Sequence, residues 1–419
     1  MVPEMRFPDF RGRDGWKNEK LGQLSTILRG GSPRPIDSYL TTDAEGLNWL
    51  KIGDVDKESK YISRTEERVK VTALSKTREV HPGDLIMSNS MSFGRPYILE
   101  IKSCIHDGWI AVTDISGSVS RDYLYYFILS NSAQTYFSNA AAGGGIKNLN
   151  ADIIKLLPVF YPQLEKEQQK IADCLTSVDD LVATQAQKLD ALKRHKKGLM
   201  QQLFPAEGEA EPKLRFPEFR DKGEWKRVAL GEIAEIQLGK MLDKNKHTTG
   251  KLMPYLNNLS VRWNYVDTSN LPEMYFNEGE LDRFGLRSGD VVVCEGGEPG
   301  RSAVWDGSLP ALKFQKAIHR VRFTLPFEAH LLVHYLELIA GTPQLEKLFT
   351  GGGIKHLTRE VFAQLQIPTT IHAEQQKIAN CLSSIDELIT AQSQKVEALN
   401  AHKKGLMQQL FPTIDEVME

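Results

Sequence analysis

Residues 167–205 of this chain return as residues 374–412, with 27 of 39 aligned positions identical and most of the changes mild, among them Val178/Ile385, Asp180/Glu387 and Leu189/Val396. Upstream of each copy the likeness thins to islands. Residues 5–27 match residues 214–236, where Phe7, Pro8, Phe10, Trp16, Leu21, Gly22 and Ile27 are answered by Phe216, Pro217, Phe219, Trp225, Leu230, Gly231 and Ile236. Gly83-Asp84 and Gly94-Arg95 are answered by Gly289-Asp290 and Gly300-Arg301, and the Gly-Gly-Gly-Ile-Lys of residues 143–147 by residues 351–355. The offset stays between 206 and 209 residues, far above the ~20–50-residue period of a solenoid. A whole domain has been duplicated, with one part of each copy held constant and another allowed to differ.

Composition narrows the class. The 419 residues are 41% apolar and 25% charged, as in a soluble globular protein, and no apolar run approaches the ~18 residues of a membrane span. No signal-peptide pattern opens the sequence, and the expected compartment is the cytoplasm. Cys104, Cys174, Cys294 and Cys381 form no CxxC pair, and buried free thiols are expected of the repeat equivalents Cys174 and Cys381. A formal net charge of −2 argues against indiscriminate coating of nucleic acid, while leaving room for a local basic face.

The repeated segment carries an apolar row at Ile171, Val178, Leu192 and Leu199, interrupted by Gln185, and the second copy carries Ile378, Ile385, Leu399 and Leu406, interrupted by Gln392. A seven-residue recurrence of this kind predicts a long helix with a coiled-coil-like seam, in which the glutamine favours one register. Some 36 residues make a rod of roughly 54 Å, and pairing the two copies covers the stripe that either alone would expose. Residues 206–213 span at most ~27 Å, so the second globular region starts near the far end of the first helix. The second helix must then run back along the first, which predicts an antiparallel pair and a pseudo-two-fold internal repeat.

The globular parts read as mixed α/β, giving an α+β fold class. Leu85-Ile86-Met87, Trp109-Ile110-Ala111-Val112 and Val291-Val292-Val293 read as strands, and residues 122–142 and 328–350 as helical. The glycine-rich stretch that follows each helical run terminates a helix, or else places Lys147 and Lys355 beside flexible amides where they touch a phosphate.

An island ending in Leu-Gly, a Gly-Asp strand with Gly-Arg downstream, and a proline-flanked strand leading into Glu-Gln-Gln-Lys-Ile-Ala, all present twice, resemble the specificity (S) subunit of type I restriction-modification enzymes. The most specific part of the resemblance lies in residues 158–172 and 368–379. It implies target recognition domains at residues 1–160 and 214–368, helical spacers at 161–205 and 369–412, a linker at 206–213 and a C-terminal tail at 413–419. It also implies a non-catalytic DNA-binding chain, each domain reading one half of a bipartite asymmetric site. The implied partners are double-stranded DNA, methyltransferase (M) subunits numbering two, and restriction (R) subunits reached through them. No cofactor is expected on this chain, S-adenosylmethionine, ATP and Mg belonging to the partner subunits. Symmetry gives the same division, because identical seams suit identical partners while divergent domains read two different half-sites.

The sequence lacks the Asn/Asp-Pro-Pro-aromatic motif of an adenine methyltransferase, the Gly-x-x-x-x-Gly-Lys-Ser/Thr phosphate loop and any HExxH-like ligand set. The run from Glu295 to Gly300 reads as a turn, and His195 and His402 as helix-surface positions. Candidate DNA contacts combine cations for phosphates with amides and aromatics for base edges. In the first half they are Arg29, Arg34, Arg64, Arg68, Lys70, Asn89, Ser92, Arg95 and Lys147. In the second they are Lys240, Lys244, Lys246, His247, Asn257, Asn258, Arg262, Trp263, Tyr265, Arg301 and Lys355. A solvated surface is the alternative reading of each. A stand-alone DNA-binding regulator, or a self-contained methyltransferase or nuclease, are the alternative functions.

Overall fold

A computed structural model describes residues 2–56, 59–89, 94–141, 149–242, 249–350 and 355–413. Two compact units divide the chain: residues 1–185 with 395–419, and residues 186–394. The division falls midway along each long helix, whereas the sequence boundaries keep each helix whole. The reason is that the end of one half's helix packs into the globular part of the other.

In the first unit a five-stranded sheet runs in the order Thr26–Arg29, Trp109–Thr113, Leu85–Ser88, Pro96–Leu99, Tyr61–Ile62. A second five-stranded sheet orders Leu40–Thr41, Glu67–Val69, Leu47–Leu50, Ser103–Ile105, Arg78–Val80. Leu85–Ser88 is buried throughout because the sheet is covered on both faces. Alternation along the strand settles which side goes where: Leu85 and Met87 join the core under the helices, while Ile86 joins Leu50, Val80 and Ile105 between the sheets. Tyr123, Tyr126 and Phe127 of the helix Arg121–Leu129 fill the helical side.

The second unit repeats the plan with fewer strands. Its sheet orders Ala234–Leu238, Ile318–Phe323, Val291–Cys294, Ser302–Val304, and a three-stranded sheet orders Glu273–Phe276, Lys251–Leu256, Lys313–Phe314. Val291 and Val293 face the helices, and Val292 and Cys294 the second sheet. Each expected helical run is broken in two, as Arg121–Leu129 and Asn131–Ala141, and as Ala329–Ile339 and Pro343–Glu346. Ser130 is extended at the first break, and Gly341 in a left-handed conformation with Pro343 beyond it ends the helix at the second.

The weak Gly-Asp and Gly-Arg islands are backbone devices. Gly83 and Gly289 have φ of 97° and 88°, and the following Asp84 and Asp290 each accept a hydrogen bond from the backbone three residues earlier. A side chain on Gly30 or Gly239 would lie 2.1 or 2.2 Å from a carbonyl oxygen of the adjacent loop, so only glycine fits where the chain leaves the sheet edge.

The long helices are Glu165–Leu203 and His372–Leu410. Of the seam residues, Ile171, Ile378 and Gln392 are buried, and Val178, Gln185, Leu192, Leu199, Ile385, Leu399 and Leu406 are half-buried. In the first unit Leu406, Met407 and Phe411 pack with Ile171, Ala172 and Leu175, while Asp179 meets Lys403. In the second, Met200 and Leu203 pack with Ile378 and Leu382, while Lys196 meets Asp386. Within each unit the two helical segments therefore run in opposite directions. No helix among the described residues is long and apolar enough to cross a membrane.

Candidate nucleic-acid interface

The frame under each globular region is held by one repeated clamp. Glu167 opens the repeat, is 1% exposed, and accepts Arg6 through Nε at 2.7 Å and Nη2 at 2.8 Å. Trp16 Nε1 donates to the same carboxylate at 3.2 Å. Glu374 holds Arg215 in the same bidentate way, at 2.8 and 2.9 Å. The neighbouring Gln168 accepts from Ser120 N at 2.7 Å and donates to Ser118 and Pro162 carbonyls, and Gln375 accepts from Glu328 N at 2.9 Å. Glu-Gln-Gln-Lys-Ile-Ala thus docks a long helix onto its own domain. Sequence reading did not single out Arg6, Arg215, Glu167 or Glu374 as partners, although both arginines and both glutamates recur at matched positions.

In the first unit Arg29, Arg34 and Asn89 come together around Asp107. Arg29 Nε and Asn89 Nδ2 donate to its carbonyl at 3.3 and 3.0 Å, and Arg34 lies 3.8 Å from its carboxylate. Asn89 is buried, at 4% exposure, so its amide organises this loop and is not free to meet a base edge. Arg34, with its side chain 84% exposed, is the cation of the group with the most reach. Arg64, Arg68 and Lys70 are exposed at and beside the strand Glu67–Val69 of the other sheet. Lys70 donates to Ser38 O at 2.8 Å, and Arg68 to the carbonyls of Ala44 and Gly46. Arg95 is half-buried, its guanidinium 5.7 Å from the Tyr97 ring. Ser92 and Lys147 lie outside the described residues.

In the second unit Asn258, Trp263 and Arg301 gather around Glu298. Arg301 donates to the Glu298 carboxylate and the Asn258 carbonyl, both at 2.6 Å, and Trp263 Nε1 reaches the same carboxylate at 3.0 Å. Asn257 closes a tight turn by accepting from Leu259 N at 2.8 Å and Ser260 N at 3.2 Å. Arg262 is half-buried and Tyr265 is 58% exposed. Lys355 pairs with Glu346 at 3.1 Å.

Lys240 departs from its expected role as a phosphate contact. Its side chain is 4% exposed, and its ammonium is bound by Glu280 at 2.5 Å and the Tyr275 carbonyl at 2.8 Å. An amine so satisfied stays in the core, because releasing it would break its charge-assisted bonds to both the Glu280 carboxylate and the Tyr275 carbonyl. Lys244, Lys246 and His247 lie outside the described residues. His195 and His402 are exposed on the long helices, and Cys104 and Cys294 are buried while Cys174 and Cys381 are half-buried.

A cleft of about 430 Å³ in the second unit is lined by Gln237, Gly239, Arg283, Glu295, His319 and Arg359. His319 Nε2 donates to the Leu357 carbonyl at 2.7 Å, which fixes its neutral tautomer. Burial lowers its pKa, outweighing that hydrogen bond. Arg283, Arg359 and Gln237 are groups of the kind that meet phosphates and base edges, while Glu295 and Glu360 place two carboxylates in the same cleft and His319 is fully buried.

The sequence matches the family model described as type I restriction modification DNA specificity domain over residues 13–194 and 222–401. It is 27% identical over 302 residues to the type I restriction enzyme MjaVIII specificity subunit of Methanocaldococcus jannaschii, covering 69% of each chain. With the putative MjaX specificity subunit of the same organism it shares 26% identity, over 95% of this chain and 93% of that one. The fold is that of the type I restriction-modification S subunit from M. genitalium, with a TM-score of 0.60 at 13% identity, covering 98% of this chain and 99% of that one.

Proposed function

This chain belongs to the type I restriction modification DNA specificity family, and we propose that it reads a bipartite, asymmetric DNA site with one half-site for each globular region. It supplies DNA specificity to a type I restriction-modification system and is not itself the catalyst. Methylation and cleavage are carried out by subunits assembled on it.

One observation carries the reading: the repeated frame is the same in both halves, and the polar clusters built on it differ. The pairs Arg6–Glu167 and Arg215–Glu374 are equivalent, as are Asp179–Lys403 and Asp386–Lys196. The groups gathered around Asp107 and Glu298 have no such correspondence, as expected of two readers for two different sequences. The frame also presents Leu181 and its equivalent Leu388 to solvent, 42% and 57% exposed. Two matched apolar positions on two matched helices suit two copies of one partner, the methyltransferase subunit. Restriction subunits then join through it.

The test exchanges one reader. Residues 213–368 are replaced by the corresponding region of a relative, the chain is assembled with its methyltransferase subunits, and methylated sites are mapped across a genome. One half of the methylated sequence should change and the other stay. A change in both halves, or retention of the old site, sinks the modular reading.

A further inference from the structure

The long helices meet their globular regions at two equivalent places whose side chains differ. In the first unit Asp179 receives Lys403 at 2.5 Å and the Tyr126 hydroxyl at 2.8 Å. In the second unit Asp386 receives Lys196 at 2.6 Å, but the position of Tyr126 is taken by His334 and that of Leu129 by Glu337. His334 is 1% exposed. Its Nδ1 lies 3.9 Å from Glu337 and 3.8 Å from Asp386 Oδ2, without a hydrogen bond to either. Asp386 Oδ2, whose counterpart in the first unit takes the tyrosine proton, is likewise unsatisfied. His334 Nε2 faces the Ser383 hydroxyl at 3.4 Å, and with the ring proton on Nε2 the lone pair of Nδ1 points at two carboxylates.

Three electron-rich atoms, one each from His334, Glu337 and Asp386, thus converge within 4.8 Å of one another. Buried atoms of this kind repel unless a cation stands between them. Lys196, with its side chain 4% exposed, supplies one positive charge, to Glu337 at 2.5 Å and Asp386 at 2.6 Å. It leaves Nδ1 and Asp386 Oδ2 unserved.

We propose that His334, Glu337 and Asp386 form a binding site for one divalent transition-metal ion, zinc by the chemistry of its ligands, which pins the second helix to the second globular region. One imidazole and two carboxylates are a borderline-hard donor set suited to Zn²⁺, with water completing four-coordination. His334 and Glu337 stand three residues apart on the helix Ala329–Ile339, on one face. Small side-chain movements bring the donors to ~2.0–2.2 Å from a shared ion. Lys196 competes with the ion for the same carboxylates, so the site is weak while the lysine is present. The first unit, with Tyr126 and Leu129, has no such donor set and binds none.

The experiment uses the full chain stripped with chelator and titrated with Zn²⁺ by calorimetry, and with Co²⁺ by visible absorption. Saturation at one ion per chain with four-coordinate Co²⁺ bands is expected. Lys196→Met should tighten binding by at least about tenfold, through loss of a charge beside the ion. His334→Gln and Glu337→Gln should each abolish the Co²⁺ bands. If those variants fail to fold, Tyr126→His/Leu129→Glu provides the independent measurement and should raise the stoichiometry to two. Absence of saturable binding, a Co²⁺ spectrum unchanged in His334→Gln, or looser binding in Lys196→Met would each overturn the proposal, leaving a proton as the occupant.

Discussion

Lys403 lies 2.5 Å from Asp179, so an ammonium near the end of the second long helix is fixed by a carboxylate on the first. Its equivalent, Lys196 with Asp386 at 2.6 Å, repeats the bond in the second unit. Each pair joins a helix to the helix of the other half, and each sits where that helix passes a globular region.

Helix length should accordingly govern the separation of the half-sites. Four residues inserted after Gln187, matched by four after Gln394 so that both ion pairs keep their register, lengthen the rod by roughly 6 Å. That is close to two base-pair steps of about 3.4 Å, and one turn of 3.6 residues nearly restores the facing of each helix. Methylation mapping should return the same half-sites with a spacer longer by one or two base pairs. An active variant confined to the original spacing would show that the helices are not the ruler.

The clamp at the start of each helix is a stability element. Glu374→Gln leaves Arg215, with its side chain 7% exposed, only the exposed Glu211 at 3.5 Å as a charged partner, and the expected loss is about 3 kcal/mol in equilibrium denaturation. Replacing both residues with methionine should cost less than the single change, because no buried charge is then left unpaired. An additive double variant would contradict this account.

Lys240→Ala should lower stability by about 1–3 kcal/mol by removing a buried ammonium that donates to the Tyr275 carbonyl and the Glu280 carboxylate. The salt dependence of DNA binding should stay as it is. A slope reduced by about 0.9 with stability intact would instead mark Lys240 as a phosphate contact.

Burial lowers the His319 pKa below its ordinary value of 6.5, outweighing the Leu357 carbonyl that favours the charged form. The unfolded chain therefore binds this proton more readily than the folded one. The contribution to stability is fully present above about pH 6.5 and is lost as pH falls toward the lowered folded value. Thermal unfolding between pH 7.5 and 5 should show a decline that His319→Gln makes shallower. An equal decline in both proteins would place the effect elsewhere.

The parts of this architecture that could be read from sequence were those written in local periodicity or in the repeat itself. The row through Ile171, Val178, Leu192 and Leu199 announced a helix because its spacing is fixed by 3.6 residues per turn. The strands at Leu85 and Val291 were visible as short apolar runs bounded by turn residues. Lys240 was misread because residue type does not report burial, and only the fold brings Glu280 and the Tyr275 carbonyl to it. The link from Arg6 to Glu167 crosses 161 residues and has no local signature. The gatherings around Asp107 and Glu298 depend on where loops end. Chemical type suggested the candidates, and tertiary structure decided which of them meet.

Phe411 packs its ring tilted against that of Tyr123 and edge-on to that of Phe127, 5.6 and 6.0 Å away, in a unit that joins residues 1–185 to residues 395–419. The other unit, residues 186–394, is a single uninterrupted stretch. During translation every residue of the second unit should therefore be available while the first unit, begun earlier, still waits for Phe411 to leave the ribosome. Proteolysis of stalled nascent chains should find the earlier segment cut and the later one protected, so that the order of synthesis and the order of folding are reversed.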